Sequence, residues 1–505
     1  MNMSTQALSA LSPTQILGIQ RGIEKESLRV LADATLARTS HPVALGSALT
    51  HPHITTDFSE SQVELITGVH ADVEACLREL REVHQFTEQA LGDEMLWVSS
   101  MPCSLPSDDD IPIGQYGSSN VGRTKTVYRT GLSHRYGRRM QAISGIHYNW
   151  SMPGVSSEAY FGLIRNFRRH AFLLLYLFGA SPAVNSSFVA GRSHQLQSLS
   201  ADTLYLPYAT SLRMGRLGYQ SDAQASLAVS YNSLEGYGNS LQDALTRSYP
   251  AYATMGVRDA QGNYQQLATT LLQIENEFYG TIRPKRVIFQ GERPLHALRE
   301  RGVEYVEVRL MDLDPFEPVG INSQTIRFLD MFLAHCLGTD SPLDTPEEIT
   351  AIAQNQQCVA ERGREPGLQL QRGSTRVSLT DWGLELVQAL EPIARQFDAA
   401  HNTQDYTAAV QVAIQGLQQP EMLPSARVLQ VVQQSYAGSF VGFIQAQSAR
   451  TKAAMLQTPL ALAAREKLDV QSRESLQAQQ DIEAADTMPF DIYLAEYLSP
   501  RRLRV

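Results

Sequence analysis

Cysteine is scarce in this chain. There are four in 505 residues (Cys76, Cys103, Cys336 and Cys358), with no CxxC pair among them. That spacing excludes a zinc-finger arrangement and a disulfide framework, and it fits a reducing cytosol. Long apolar runs are missing as well. The most apolar helical segment, AFLLLYLFGA at 171–180, is half of the ~20 residues that cross a bilayer, so a buried helix is expected there and no membrane span. The opening MNMSTQALSALSPTQ has no positive charge before Arg21 and no long apolar core, so it does not read as a signal peptide. An excess of positive charge is also lacking, since the formal net charge is −10. Such a protein repels phosphate backbones unless it carries a strong basic patch, and no nucleic-acid partner is expected. Internal repeats and low-complexity segments are absent. So are a GxxxxGK[ST] phosphate loop, a Rossmann glycine fingerprint, an HExxH helix and a GxSxG elbow. An ATP enzyme built from this sequence must therefore hold phosphates through cations and arginines.

The composition, with 43% apolar and 19% charged residues, is that of an ordinary globular chain able to bury a large core. The first two thirds mix strands and helices. GIQRGIEKESLRV (18–30) reads as a strand followed by a turn. Residues 71–92 carry apolar positions at Val73, Cys76, Leu77, Leu80 and Val83, which is helical spacing. In SGIHYNWSM (144–152), Ile146, Tyr148 and Trp150 face one way while His147, Asn149 and Ser151 face the other. A long helix is expected over 156–178, capped by serines and ended near Gly179. LLQIENEFYG (271–280) and VEYVEVRLMD (303–312) alternate like strands. A connection follows at 338–345, where Thr345, Pro346 and Glu348 form a capping box with proline at the first helical position. Beyond it the chain reads as helical to about 485. No linker is long enough to prove a domain break.

Several groups of residues could carry chemistry. Glu24 and Glu26 lie two apart in a strand, which puts both carboxylates on one face about 7 Å apart. A cation between them would relieve their repulsion, although a solvated strand face with Lys25 and Arg29 nearby gives the same pattern. Asp57, Glu60 and Glu64 crowd three carboxylates into DFSESQVELITGV (57–69), as a metal site or an acidic loop would. If 57–64 is helical, Asp57 and Glu64 share a face; if 63–67 is a strand, Glu64 points opposite Val63 and Leu65. His147 leads a polar strand face that suits a lined pocket or a structural histidine. Glu307 and Arg309 share a face with Tyr305, either as an ion pair or as a metal ligand beside a phosphate clamp. Glu275, Glu277 and Tyr279 precede a basic cluster of Arg283, Lys285 and Arg286, which suits a metal–nucleotide or a solvated loop. The most basic stretch, RTKTVYRTGLSHRYGRRM (123–140), is too short to make an acidic protein a nucleic-acid binder.

Longer segments go further. GIQRGIEKESLRV, ALGSALTHPHITTDFSESQVELIT (44–67), GRTKTVYRTGLSHRYG (122–137), QAISGIHYN (141–149), LPYATSLRMGRLGY (206–219), QIENEFYGTIRPKR (273–286), GVEYVEVRLMDLDPFEPVGI (302–321) and EAADTMPFDIYLAEYLSP (483–500) resemble, in order, the bacterial glutamate–cysteine ligases of the enterobacterial type. Residues 1–15 show no such likeness. The resemblance implies an α+β fold with a glutamine-synthetase-like core, an antiparallel sheet curled into a funnel that holds metals and ATP. It implies one catalytic domain over 1–505, with a sheet-based core at 16–337 and a mainly helical part at 345–485. Its metal positions match Glu24, Glu26, Asp57, Glu64, His147 and Glu307, a set of oxygens with one imidazole that suits Mg²⁺ or Mn²⁺. Arg213 matches the arginine of the glutamate site. Tyr128, Arg129, Leu132, Tyr219 and Tyr279 match the cysteine pocket. Arg309, with Arg283 and Lys285, would touch the phosphates of ATP, and Arg309 would act in catalysis. The implied activity is ATP-dependent joining of the L-glutamate γ-carboxylate to L-cysteine through γ-glutamyl phosphate, the first step of glutathione biosynthesis. A cytoplasmic monomer is expected. No motif marks the adenine site.

Overall fold

A computed structural model describes residues 11–218, 222–225, 227–289 and 291–504. Tyr219 lies outside these described residues.

The architecture is α+β, as expected. The main sheet collects β1 (Gln20–Val30), β2 (Ile54–Thr56), β3 (Gln62–Ile66), β4 (Met95–Leu96) and β5 (Ile146–Ser151). A separate small sheet holds β6 (Ala183–Asn185), β7 (Gln197–Ser198) and β8 (Thr203–Tyr205). The chain returns to the main sheet with β9 (Ile282–Lys285) and β10 (Tyr305–Met311). The main sheet runs β2-β3-β1-β5-β10-β9, with β4 also on β1, and every pairing is antiparallel.

Register divides the sheet into two chemically distinct faces. Ile23 lies opposite Tyr148, which lies opposite Val308, which lies opposite Ile282. This apolar face is fully buried in the main core, with the helices Ser157–Phe178 and Ser323–Gly338. The other face carries the acids. Glu26 lies opposite Glu64, Glu24 opposite His147, and Glu307 opposite both Asn149 and Arg283. Period-2 alternation makes this split obligatory: a slip of one residue would turn the carboxylates into the apolar core and the core residues onto the acidic face.

β10 holds an extra residue relative to β5, since Val308 pairs with Tyr148 but Met311 with Ile146. Such a bulge re-aims the side chains next to it. Here it accompanies an Arg309 guanidinium that reaches both Glu307 and His147.

The main core runs without a break from Ile16 to Leu503 and includes Leu386, Val387 and Ile393 of the helix Leu379–His401. The helical region and the sheet thus share one interior. No helix among the described residues is long and apolar enough to cross a membrane.

Four sequence expectations need correction. β1 continues to Val30, past the expected turn, and its Lys25 and Arg29 are buried. Lys25 donates to the Ser27 hydroxyl at 2.6 Å and Arg29 pairs with Glu94 at 2.6 Å, which removes the solvated-face alternative. Residues 275–277 form a 3₁₀ turn, not a strand. Thr345 caps its helix by accepting from Glu348 N, but the Glu348 carboxylate turns to Arg169, so only half of the capping box forms. A hairpin of Gln369–Arg372 and Thr375–Ser378 interrupts the helical region.

Candidate active site

Four neighbouring antiparallel strands, β3, β1, β5 and β10, bring acids and a histidine from distant parts of the sequence onto one surface. His147 stands at the centre. Its Nδ1 lies 3.1 Å from Glu24 Oε2 and 4.0 Å from Glu307 Oε1, and its Nε2 lies 3.6 Å from Glu26 Oε1. Ligand atoms of Glu24, Glu64 and His147 lie within 4.8 Å of one another. Asn149 Nδ2 donates to Glu24 at 2.9 Å, and the Gly145 amide donates to Glu26 at 2.8 Å. Asp57, in the β2–β3 connection, is close enough to raise both Glu26 and Glu64 by its charge. β3 is a strand across residue 64, so the helical alternative for 57–64 does not apply.

The electrostatics are those of a site short of positive charge. Burial and the charge of Asp57 push Glu26 up to about 8. Burial and the charges of Glu24, Asp57 and Glu26 push Glu64 well above the usual carboxylate range. Burial acts to raise Glu24 too, but the His147 hydrogen bond and the charges of His147 and Lys285 together outweigh it and leave that acid low. In Glu307 burial is outweighed by Lys285, Arg309 and His147, which hold it well below the usual range. Burial and Arg309 push His147 down, favouring the neutral ring that binds cations.

The donor set fits a divalent cation. His147 Nε2 and Asn149 Oδ1 are buried without hydrogen bonds. A buried polar atom without a partner is costly, and an ion would satisfy it. Carboxylate oxygens with one imidazole suit Mg²⁺ or Mn²⁺ rather than a soft metal.

Cations border the acids. Lys285 Nζ lies 3.1 Å from Glu307 and Arg309 Nη1 lies 3.0 Å from it. Arg283 is buried, and its guanidinium donates to the carbonyls of Asn276 and Phe278. Arg213, also buried, donates to the Arg309 carbonyl at 2.8 Å and lies 3.9 Å from Asp312. A Cβ on Gly145 would fall 2.1 Å from Arg213 Nη2, so this contact requires glycine at 145.

Tyr128, Arg129 and Leu132 sit on the helix Asn120–Tyr136. Arg129 donates to the Asp57 carbonyl, and Leu132 is buried. The hydroxyl of Tyr279 accepts from Gln141 Nε2 at 2.6 Å, and its ring meets Tyr136 edge-on. Glu275 and Glu277 do not join the acidic face. They are buried in pairs with Arg293 and Arg135, both at 2.7–2.8 Å.

Sequence reasoning missed one feature, a cavity of about 360 Å³ beside Lys285. Val287, Ile288, Pro294, Leu295 and Tyr305 line it with Lys285. The Val-Ile-Phe run after the basic cluster was its only signal.

Comparison with known proteins identifies the family. The glutamate–cysteine ligase family model matches residues 6–359. The glutamate–cysteine ligase of Alcanivorax borkumensis is 47% identical, with 97% of each chain covered. That of Azotobacter vinelandii is also 47% identical, over 94% of this chain and 93% of its own. The crystal structure of glutamate–cysteine ligase from Francisella tularensis in complex with AMP superposes with a TM-score of 0.91 at 38% identity, covering 95% of this chain and 97% of that one. A bifunctional glutathione synthetase from Pasteurella multocida shares the fold, with a TM-score of 0.71 at 24% identity over 91% of this chain and 57% of its own. The chain belongs to the glutamate–cysteine ligase family.

Proposed function

We propose that the protein joins the γ-carboxylate of L-glutamate to the amine of L-cysteine with cleavage of ATP to ADP and phosphate, the first step of glutathione biosynthesis. The observation that carries this reading is the convergence of Glu24, Glu26, Glu64, His147 and Glu307 on one sheet face, bordered by Lys285, Arg309 and Arg213.

A carboxylate is a poor electrophile at neutral pH, so it must be activated. A γ-carboxylate oxygen attacks the γ-phosphorus of ATP, the bond to the bridging oxygen breaks, and ADP leaves. The cysteine nitrogen then attacks the acyl carbon of γ-glutamyl phosphate, phosphate leaves, and the amide forms. Two anions must meet in the first step. Bound Mg²⁺ would neutralise phosphate oxygens there, held by Glu24, Glu26, Asp57, Glu64, His147 and Glu307. Arg309, with Lys285 and Arg283, would stabilise charge on the transferred group. Arg213 would bind the α-carboxylate, leaving only the γ-carboxylate in reach of the phosphate. Tyr128, Arg129, Leu132, Tyr219 and Tyr279 would form the cysteine pocket. The half-apolar cavity beside Lys285 suits the nucleotide base. The protein would act as a cytoplasmic monomer, with 16–337 carrying the site and 345–485 supporting it through the shared core.

The test is product identity. Incubation with L-glutamate, ATP, MgCl₂ and a panel of amines should give cysteine-dependent ADP release and a mass matching γ-glutamylcysteine. Release driven by another amine would change the acceptor. No turnover with any divalent metal would remove the activity.

A further inference from the structure

Tyr116 lies outside the acidic face, yet it touches two of its supports. The chain turns sharply at Gly117, with φ of 83°, into the helix Asn120–Tyr136. A Cβ on Gly122 would fall 2.2 Å from the Tyr116 carbonyl oxygen, so the Tyr116 backbone is seated directly on the first turn of that helix. The side chain is buried and reaches the β2–β3 connection. Its hydroxyl accepts from Thr56 Oγ1 at 2.8 Å. Its single proton can go to the carbonyl of Thr56 at 2.8 Å or that of Asp57 at 3.0 Å.

The ring carries a second load. Lys125 and Arg129 are four residues apart and so share a helix face. Lys125 Nζ lies 5.2 Å and Arg129 Cζ 4.5 Å from the Tyr116 ring centroid, within cation–π range. Arg129 Nε in turn donates to the Asp57 carbonyl, the one the tyrosine hydroxyl also reaches.

We propose that Tyr116 is a positioning residue that couples the two subsites: its hydroxyl fixes the segment bearing Asp57, and its ring holds Arg129 at the cysteine pocket. This rests on the reading of Asp57 as a cation ligand and Arg129 as a cysteine-pocket residue. The two functions separate by chemistry. Tyr116→Phe removes the hydroxyl and keeps the ring, whereas Tyr116→Leu removes both.

The test measures Mn²⁺ binding to the metal-free protein by the EPR signal of the free ion, together with KM for each amino acid. In Tyr116→Phe the Mn²⁺ dissociation constant should rise roughly fivefold, the worth of one hydrogen bond, with the cysteine KM within about twofold of the parent. In Tyr116→Leu the cysteine KM should also rise roughly fivefold, with the glutamate KM little changed. Asp57→Asn serves as the control for the site itself. If Asp57→Asn weakens Mn²⁺ binding and Tyr116→Phe does not, the coupling is overturned and the site stands. If Asp57→Asn leaves Mn²⁺ binding unchanged, the assignment of Asp57 fails and takes the coupling with it. If Tyr116→Leu does not fold, the Mn²⁺ result for Tyr116→Phe still decides.

Discussion

Glu26 and Glu64 face each other across β1 and β3, and the cost of that pairing sets the chemistry of the site. Glu26 ordinarily titrates near 4.5, but in the folded protein it is pushed up to about 8, and Glu64 is raised too. A raised carboxylate holds extra protons in the fold between its unfolded and folded values. The metal-free protein therefore loses this contribution as pH rises from about 4.5 to beyond 8. A divalent cation bound there would compete for the same oxygens and have to displace those protons. The Tm increase caused by MgCl₂ should accordingly be larger at about pH 8.5 than at about pH 6. A pH-independent increase would contradict the arrangement. Glu64→Gln and Glu307→Gln should each cut kcat by roughly 10²-fold or more with an unchanged circular dichroism spectrum. Near-parental turnover in both would remove the cation assignment. Glu26 was legible beside Glu24, and Glu307 beside Arg309, because i and i+2 on a strand share a face, whereas Glu64 was marked only by the crowding of three carboxylates in 57–64. Glu277 was not legible, since a buried acid paired with Arg135 and an acid poised for a metal look alike until the third dimension is known.

The elements matter because each contributes only one or two of the proposed ligands. β1 carries Glu24 and Glu26, β3 Glu64, β5 His147 and β10 Glu307, so their mutual register sets the candidate site. On the opposite face a buried cluster pins that register. Arg21 of β1 lies 3.0 Å from Asp330 of the helix Ser323–Gly338, and Tyr148 of β5 donates to the same carboxylate at 2.6 Å. Removing one partner of such a buried pair costs about 3–5 kcal/mol. Asp330→Ala should lower the urea-unfolding free energy by about that much, and a loss below about 0.5 kcal/mol would show that the cluster does not hold the strands. Strand signals in β5 and β10 were readable because their apolar and polar residues alternate cleanly. The same alternation at 271–280 misled. There Glu275 and Glu277 are drawn to Arg293 and Arg135, and the backbone follows them into a 3₁₀ turn. The bulge that accompanies Arg309 is set by strand pairing and leaves no mark in the chain itself.

At the scale of the molecule, the sheet and the later helices share one interior, so the site is built on a scaffold that cannot shift piecemeal. The α+β class and the order of the acidic segments were legible through the family resemblance. Composition and spacing alone reached only a mixed protein with carboxylates to spare. The cavity beside Lys285 escaped because its walls come from three separated segments, 237–241, 275–298 and Tyr305, and a mixed lining of charged and apolar side chains has no fixed spacing. In the proposed reaction this scaffold activates a carboxylate by phosphorylation. The direct test uses L-glutamate carrying ¹⁸O in its γ-carboxylate, with ATP, MgCl₂ and L-cysteine, and analyses the released phosphate by mass spectrometry. One labelled oxygen should pass to phosphate for each peptide formed. Product formed with unlabelled phosphate would contradict the acyl phosphate, and with it the account of the site.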